Sequence, residues 1–371
     1  MNKLFVSEEF KKKVAADERA KDIKVPTEEK RPHLTESVKG LQTCRWLLNT
    51  QFEMSETIVD GLLREKEMVL FAGPPKVGKS RLSYQLAISL ANGKDFLGMK
   101  CLKKRVLYLD LENKPEISQE RVKRIGHESA ETDSFVLYVP ENIAKNEAVL
   151  NNKGLELIKR MIGTTRPDVL FIDPLRIFGG MKWDERKCED VIRAYSQISE
   201  FFELNKNLSI IIIHHTRKSS GEHKNQSSLK SDPSGWIQGV SGSYSLIAHS
   251  ESIWGFAREL AGDGEEHIIF HGMARNWRVP LLLLEDCPDL SYRRLLGEEF
   301  ATGMMTAKEK EYWSIARDLR IFKIHSLESA CKVRARLLFG MIRKAQSCGV
   351  MDYSEGQYFV TVQEESQLCS D

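Results

Sequence analysis

From residue 68 onward the chain alternates between short runs with unbroken apolar centres and stretches whose apolar positions recur every three to four residues. The runs are "MVLFA" (68–72), "RVLYLDLE" (105–112), "DVLFID" (168–173) and "LSIIIIHH" (208–215). Between them, Leu82, Leu86 and Leu90 keep helical spacing and end at a glycine, "EISQERVKRIG" reads as a charged helix, and Val191, Tyr195, Ile198 and Phe202 form a further apolar face. Short strands that are apolar on both faces, separated by helices, predict a parallel sheet covered on both sides, an α/β fold.

The alternation stops after residue 216. "TRKSSGEHKNQSSLKSDPSGWIQGVSGS" is rich in Ser, Gly and Lys, has no period, and is too long to be a mere connector. "SIWGFAREL" and "EHIIFHGMA" then predict an antiparallel hairpin with "AGDGE" at its tip. From residue 301 three helices are expected in "TAKEKEYWSIARDLRIF", "SLESACK" and "ARLLFGMIRKAQSCG", followed by the hairpin "VMDYSEGQYFVTV". That order is the order of a winged helix. The first thirty or so residues are mixed in charge and are expected to form a solvated, partly disordered arm.

The stretch "GPPKVGKS", Gly73 to Ser80, fits the GxxxxGKS phosphate-loop pattern, with a strand before it and a helix after it as the pattern requires. Glycines let backbone amides turn toward phosphates, and the following helix adds its positive end. The expected nucleotide-binding residues are Gly73, Pro74, Pro75, Lys76, Val77, Gly78, Lys79, Ser80 and Arg81. Lys79 would reach the β- and γ-phosphates of ATP and Ser80 would hold Mg²⁺. Asp173, at the end of "VLFI" and before Pro174, suits the second metal-shell position. Asp110 and Glu112 are two residues apart, which in an extended strand places both on one face. Glu112 is the first choice to orient the attacking water and Asp110 the second. His214 and His215 end the four-isoleucine strand and precede Thr, Arg and Lys, a constellation suited to sensing phosphate.

Taken together, "VDGLL", "FAGPPKVGKS", "FLG", "RVLYLDLEN", "PDVLFIDPL", "IIIIHHTRK" and "GVSGSYSL" resemble, in order and spacing, the RecA-like ATPases of the plasmid RepA type. These are hexameric replicative helicases with related ATPases in phages and mobile elements, and the resemblance covers roughly residues 56 to 285. It implies that Glu112 is the catalytic glutamate, that His215 senses the γ-phosphate, and that Arg121 occupies the position of a further arginine. It also implies a homo-oligomeric ring, a hexamer, with ATP held between subunits. Glu251 stands where RepA has its arginine finger, which leaves Arg275 and Arg278 as the substitutes for a trans-acting cation. In such rings the loops after the third and fourth core strands line a channel for single-stranded DNA. Here those loops contribute Arg217, Lys218, Lys224 and Lys230, with Trp183 and Trp236 available to stack on bases or to pack on the core.

The expected fold is therefore an α/β, RecA-like P-loop NTPase core with a mostly parallel sheet plus a small α+β winged-helix C-terminal domain. The divisions are a charged arm and linker (1–55), the ATPase core (56–300), the winged-helix-like domain (301–363) and a tail (364–371). Lys332, Arg334, Arg336, Arg343 and Lys344 lie on or near the third C-terminal helix, so duplex DNA and a protein partner are both open for it. The expected function is an ATP-dependent motor, a helicase or translocase on single-stranded DNA in replication of a plasmid, phage or mobile element. The alternative is a slow nucleotide switch that loads or regulates a replication, recombination or defence complex without unwinding.

Bulk properties narrow this only a little. A net charge of +2 excludes a global field for nucleic acid and requires local patches. Seven cysteines without a CxxC pair read as reduced thiols in a cytoplasmic protein. No apolar run approaches the ~20 residues of a membrane span, and none at the start resembles a signal peptide.

Overall fold

The computed structural model describes residues 42–52, 54–126, 132–141, 146–180, 183–216, 227–240, 244–260 and 266–361. The chain divides into two compact units, Met1–Met54 and Ser55–Asp371. In the first, helix α1 (Cys44–Asn49) is capped by the Thr43 side chain, which accepts from the Trp46 amide. Trp46 packs edge-on to Phe52 with ring centroids 5.9 Å apart. Most of the expected N-terminal arm lies outside the described residues.

The second unit runs β1 (Thr57–Val59), β2 (Leu63–Arg64), β3 (Met68–Gly73), α2 (Lys79–Asn92), β4 (Val106–Asp110), α3 (Pro115–Gly126) and β5 (Phe135–Tyr138). It continues through α4 (Asn152–Thr165), β6 (Val169–Asp173), α5 (Leu175–Gly179), α6 (Cys188–Ser199), β7 (Ser209–His215), α7 (Pro233–Ile237) and α8 (Ser245–Ala248). Strands β8 (Ser252–Leu260), β9 (Glu266–Ala274), β10 (Leu282–Asp286) and β11 (Tyr292–Arg294) complete the sheet. Helix α9 (Gly297–Met304) then leads to α10 (Ala307–Leu319), β12 (Ile321–Phe322), α11 (Ile324–Cys331), α12 (Ala335–Ser347), β13 (Met351–Ser354) and β14 (Gln357–Val360).

Among the described residues nine strands form one sheet in the order β11-β10-β9-β8-β3-β7-β6-β4-β5. The six from β8 to β5 are parallel, and β9, β10 and β11 extend the sheet antiparallel. The phosphate-loop strand β3 is central, and β7 separates it from β6, which ends in Asp173. With one strand inserted between the phosphate loop and the strand carrying the metal-shell acid, this is the RecA-like P-loop arrangement.

Period-two burial builds both layers of the core. Val69, Phe71, Tyr108, Phe171 and Ile211 face α2, while Leu70, Leu107, Leu170 and Ile212 face α4 and α6. Strands β3, β4 and β6 are buried at every position, as their unbroken apolar sequences require. The expected face of α6 is present with one change. The helix tightens into a 3₁₀ turn at Glu200–Glu203, so Phe201 is fully buried and Phe202 only partly.

The hairpin expected at 252–274 is formed by β8 and β9, and its tip lies outside the described residues. The three C-terminal helices and the last hairpin stand where the sequence places them, around a separate core that includes Trp313, Phe322, Leu338, Met341 and Ile342. Strand β12 adds a third strand beside β14. Strands β5, β10 and β11 and helix α4 were not anticipated. The strands are short or interrupted by charge and owe their form to long-range pairing, whereas α4 carries its own local signal, the Asn151 cap and Leu155, Ile158 and Ile162 at helical spacing.

Candidate nucleotide site

Register brings the chemistry to one edge of the sheet. Gly73 lies beside His215 across the β3–β7 pair, and Asp110 lies beside Asp173 across β4–β6. All four are at the carboxyl ends of parallel strands, where α/β folds place their ligands.

The loop from Gly73 to Gly78 is shaped by close approach. A Cβ on Gly73 would come within 2.4 Å of the Phe256 carbonyl oxygen. Gly78 has φ +109°, a left-handed conformation open to glycine, and caps α2. A Cβ there would stand 1.9 Å from Tyr292 Oη, so no side chain fits on two counts. Pro75 and Lys76 are exposed at the tip, Pro74 is half-buried, and Val77 is buried underneath.

Lys79 is buried in the first turn of α2, and its Nζ donates to the carbonyls of Gly73 and Pro74, each at 2.8 Å. It also lies 3.2 Å from His215 Nδ1. Burial lowers the Lys79 pKa to about 8, against the opposing pull of Asp173 and Glu112. Burial, and then the neighbouring Lys79 and His214, lower His215 to about 4. The imidazole is therefore neutral at physiological pH, and its Nδ1 accepts a hydrogen bond from the Lys79 ammonium.

Asp173 is buried and accepts from Tyr108 Oη at 2.6 Å. Burial raises its pKa to about 6, with Asp110 adding to the rise and hydrogen bonds from Tyr108 and Ser80 and the charge of Lys79 opposing it. Ser80 and Asp173 thus touch through their side-chain oxygens, and the buried carboxylate lacks a full countercharge. Both features fit the approach of a divalent cation carrying nucleotide phosphates. Among the described residues there is no cluster of three or more His, Cys, Asp or Glu that could hold a metal ion.

The two acids of "LDLEN" separate. Strand β4 ends at Asp110, and the backbone then bends, so the period-two expectation fails at Glu112. Asp110 is fully buried and accepts from Tyr84 Oη (2.5 Å), Ser118 Oγ (2.8 Å), Asn113 Nδ2 (2.8 Å) and the Asn113 amide (3.2 Å). With its lone pairs filled it is a structural anchor, which removes it as the second choice for the water base. Glu112 is exposed past the strand end.

Arg81, one residue beyond the motif, is held by the β10–β11 turn. It donates to the Leu290 carbonyl (2.8 Å), pairs with Asp286 (2.9 Å), and stacks over the Tyr292 ring with 4.6 Å to the centroid. Gln85 and Tyr292 exchange two bonds of 2.9 Å, which fastens β11 to α2. Neither Tyr292 nor Tyr108 was anticipated. Tyr108 was legible, because its position two residues before Asp110 puts it on the same strand face, but Tyr292 lies more than two hundred residues from the loop.

Arg121 turns inward along α3, 5.9 Å from the Tyr84 ring centroid, with Nη1 buried and without a hydrogen-bond partner among the described residues. Glu251 is at the opposite end of the sheet. Its Oε2 accepts from the Met68 amide at 2.8 Å. Arg275 and Arg278 are exposed at that same end, and Arg275 donates to the Ala248 carbonyl at 2.6 Å. Arg217, Lys218 and Lys224 lie outside the described residues. Lys230 is half-buried and donates to the Gly303 carbonyl at 2.7 Å, which tethers it to α9. Trp236 is buried and Trp183 packs flat on Gly179, so both tryptophans serve the core.

A phosphate-binding loop, a buried lysine, and an acid at the end of the second strand over define a P-loop nucleotide-binding protein of RecA-like architecture. The model of the AAA domain family matches residues 33–221, just over half of the chain, and the protein belongs to that family. Among solved structures it is similar to a KaiC-like protein from the hyperthermophilic archaeon Pyrococcus horikoshii, at 13% identity and a TM-score of 0.45, over 64% of this chain and 93% of that one. Compared with curated protein sequences, the chain has no match. Among the described residues no helix is long and apolar enough to cross a membrane.

Proposed function

We propose that the protein is an ATP hydrolase that assembles with copies of itself and acts on single-stranded DNA as a helicase or translocase in replication of a mobile element. The observation that carries the hydrolase part is the convergence of Lys79, Ser80, Asp173 and His215 at one strand edge. Lys79 would exchange its two backbone carbonyls for β- and γ-phosphate oxygens. Ser80 and Asp173 would hold Mg²⁺, Glu112 would orient water from its open position, and neutral His215 would report the γ-phosphate.

Assembly is supported by where the remaining cations lie. Arg275 and Arg278 are at the far end of strands β3 and β8, about 13 Å of strand rise from the loop, and so suit a neighbour's site better than their own. The C-terminal helices and hairpin, in this reading, are a winged-helix module. A slow switch is favoured by one observation, that Glu251 is engaged with the Met68 amide where RepA-type ATPases carry a finger.

Steady-state ATP turnover with and without single-stranded DNA decides between them, with Lys79→Ala as the blank. The motor reading expects strong stimulation that vanishes in the variant, followed by strand displacement. Slow turnover indifferent to DNA would overturn it and leave the switch.

A further inference from the structure

The segment from Lys332 to Met351 contains five cations and no acid. It includes all of α12, whose buried side is Leu338, Met341, Ile342 and Ala345. The side opposite carries Arg336 and Arg343, both exposed and seven residues apart, which is two helical turns or about 10 Å. Lys332 and Arg334, also exposed, precede the helix at its positive end.

The nearby acids are already used. Glu328 accepts from the Ala335 amide at 2.5 Å and lies 3.7 Å from His325. Glu309 takes Lys344 at 2.6 Å and the Thr306 amide at 2.8 Å. Among the described residues, Lys332, Arg334, Arg336 and Arg343 have no carboxylate partner. Exposed Phe339 and Leu337 flank the charged stripe.

We propose that this face of α12 binds duplex DNA, with the helix seated in a groove and Lys332, Arg334, Arg336 and Arg343 on phosphates or guanine edges. A protein surface mixes signs, whereas a stripe of one sign with no acid matches a partner of uniform negative charge. Three of these four cations are arginine, whose planar fork pairs phosphate and guanine bidentately, and Arg343 keeps both Nη groups available while its Nε donates to the Phe339 carbonyl at 3.2 Å. An α-helix fits the major groove, and apolar Leu337 and Phe339 can meet sugars and thymine methyls. The β13–β14 hairpin carries exposed Asp352 and Glu355, so the helix and not the hairpin is the contacting element. This site is independent of ATP hydrolysis.

Fluorescence anisotropy of the full chain with a labelled duplex of about 20 base pairs tests it, across a salt series. Arg336→Glu/Arg343→Glu is expected to weaken duplex binding at least tenfold and to reduce the slope of log affinity against log salt by about 2. The variant's melting temperature and DNA-free ATP turnover should match the parent, which separates lost contact from lost fold. Duplex affinity unchanged in the variant would overturn the proposal. So would equally tight binding of poly-glutamate with the same dependence on both arginines, which would assign the face to an acidic protein.

Discussion

Lys79 Nζ lies 3.2 Å from His215 Nδ1, and this pair joins the phosphate loop to the end of the adjacent strand. A cationic imidazole cannot accept that proton, so the contact requires His215 neutral. Its pKa near 4, set first by burial, satisfies this. In the nucleotide-free protein, an imidazole NMR titration should show His215 unprotonated from pH 5.5 to 8. A midpoint near 6.5 would break the assignment. Stability alone is a poor readout here. The lowered His215 pKa makes folding more favourable as pH rises from about 4 to 6.5, while the raised Asp173 pKa acts oppositely from about 4 to 6.

Asp110 and Glu112 separate by substitution. Asp110→Ala strips the buried Tyr84 and Ser118 hydroxyls of their acceptor and should cost ~2–4 kcal/mol in denaturant unfolding. Glu112→Gln touches none of these and should leave the melting temperature unchanged while turnover falls ~10²-fold or more. Reversal of the two phenotypes would show that the water base is the buried acid.

Tyr108→Phe removes the 2.6 Å bond to Asp173 inside the core. That bond holds the aspartate's pKa down against burial, so its loss raises the pKa further. The expected results are ~1–3 kcal/mol lower stability and an acid limb of the ATPase pH profile displaced to higher pH. A limb that stays in place would mean that Asp173 does not set it.

Tyr292 Oη occupies the space a Cβ on Gly78 would need. Gly78→Ala should abolish nucleotide binding, measured by fluorescent-nucleotide titration, and pairing it with Tyr292→Ala should not restore it, because φ +109° remains closed to alanine. Tyr292→Ala alone should weaken binding several-fold by removing the surface on which Arg81 stacks. Full affinity in that variant would show that β11 is no part of the site.

Glu67 is 5% exposed at the opposite end of the sheet, and burial raises its pKa to about 8, with Glu251 adding to the rise and Arg64 opposing it. The folded state keeps this proton up to about pH 8 whereas the unfolded chain loses it near 4.5, so stability falls as pH rises through that window. Glu67→Gln should therefore be stabilising at pH 9, by up to ~5 kcal/mol, and nearly neutral at pH 4.5. Equal melting temperatures of parent and variant at pH 9 would refute the buried carboxyl.

The local parts of this protein were determined by the sequence alone. Four apolar runs became β3, β4, β6 and β7, the loop from Gly73 to Ser80 formed where its pattern lay, and Asp173 reached the site because a strand end fixes its own direction. Period and motif encode such features within a few residues. The tertiary structure decided everything that depended on two distant segments meeting. It buried Asp110 and freed Glu112, because the strand ended two residues before the pattern did and Tyr84 and Ser118 arrived from α2 and α3. Trp236 went to the core beside Gly255, Lys230 to the end of α9, and Tyr292 to the phosphate loop. Those contacts span nineteen to more than two hundred residues, and only a packed sheet brings such partners within van der Waals reach.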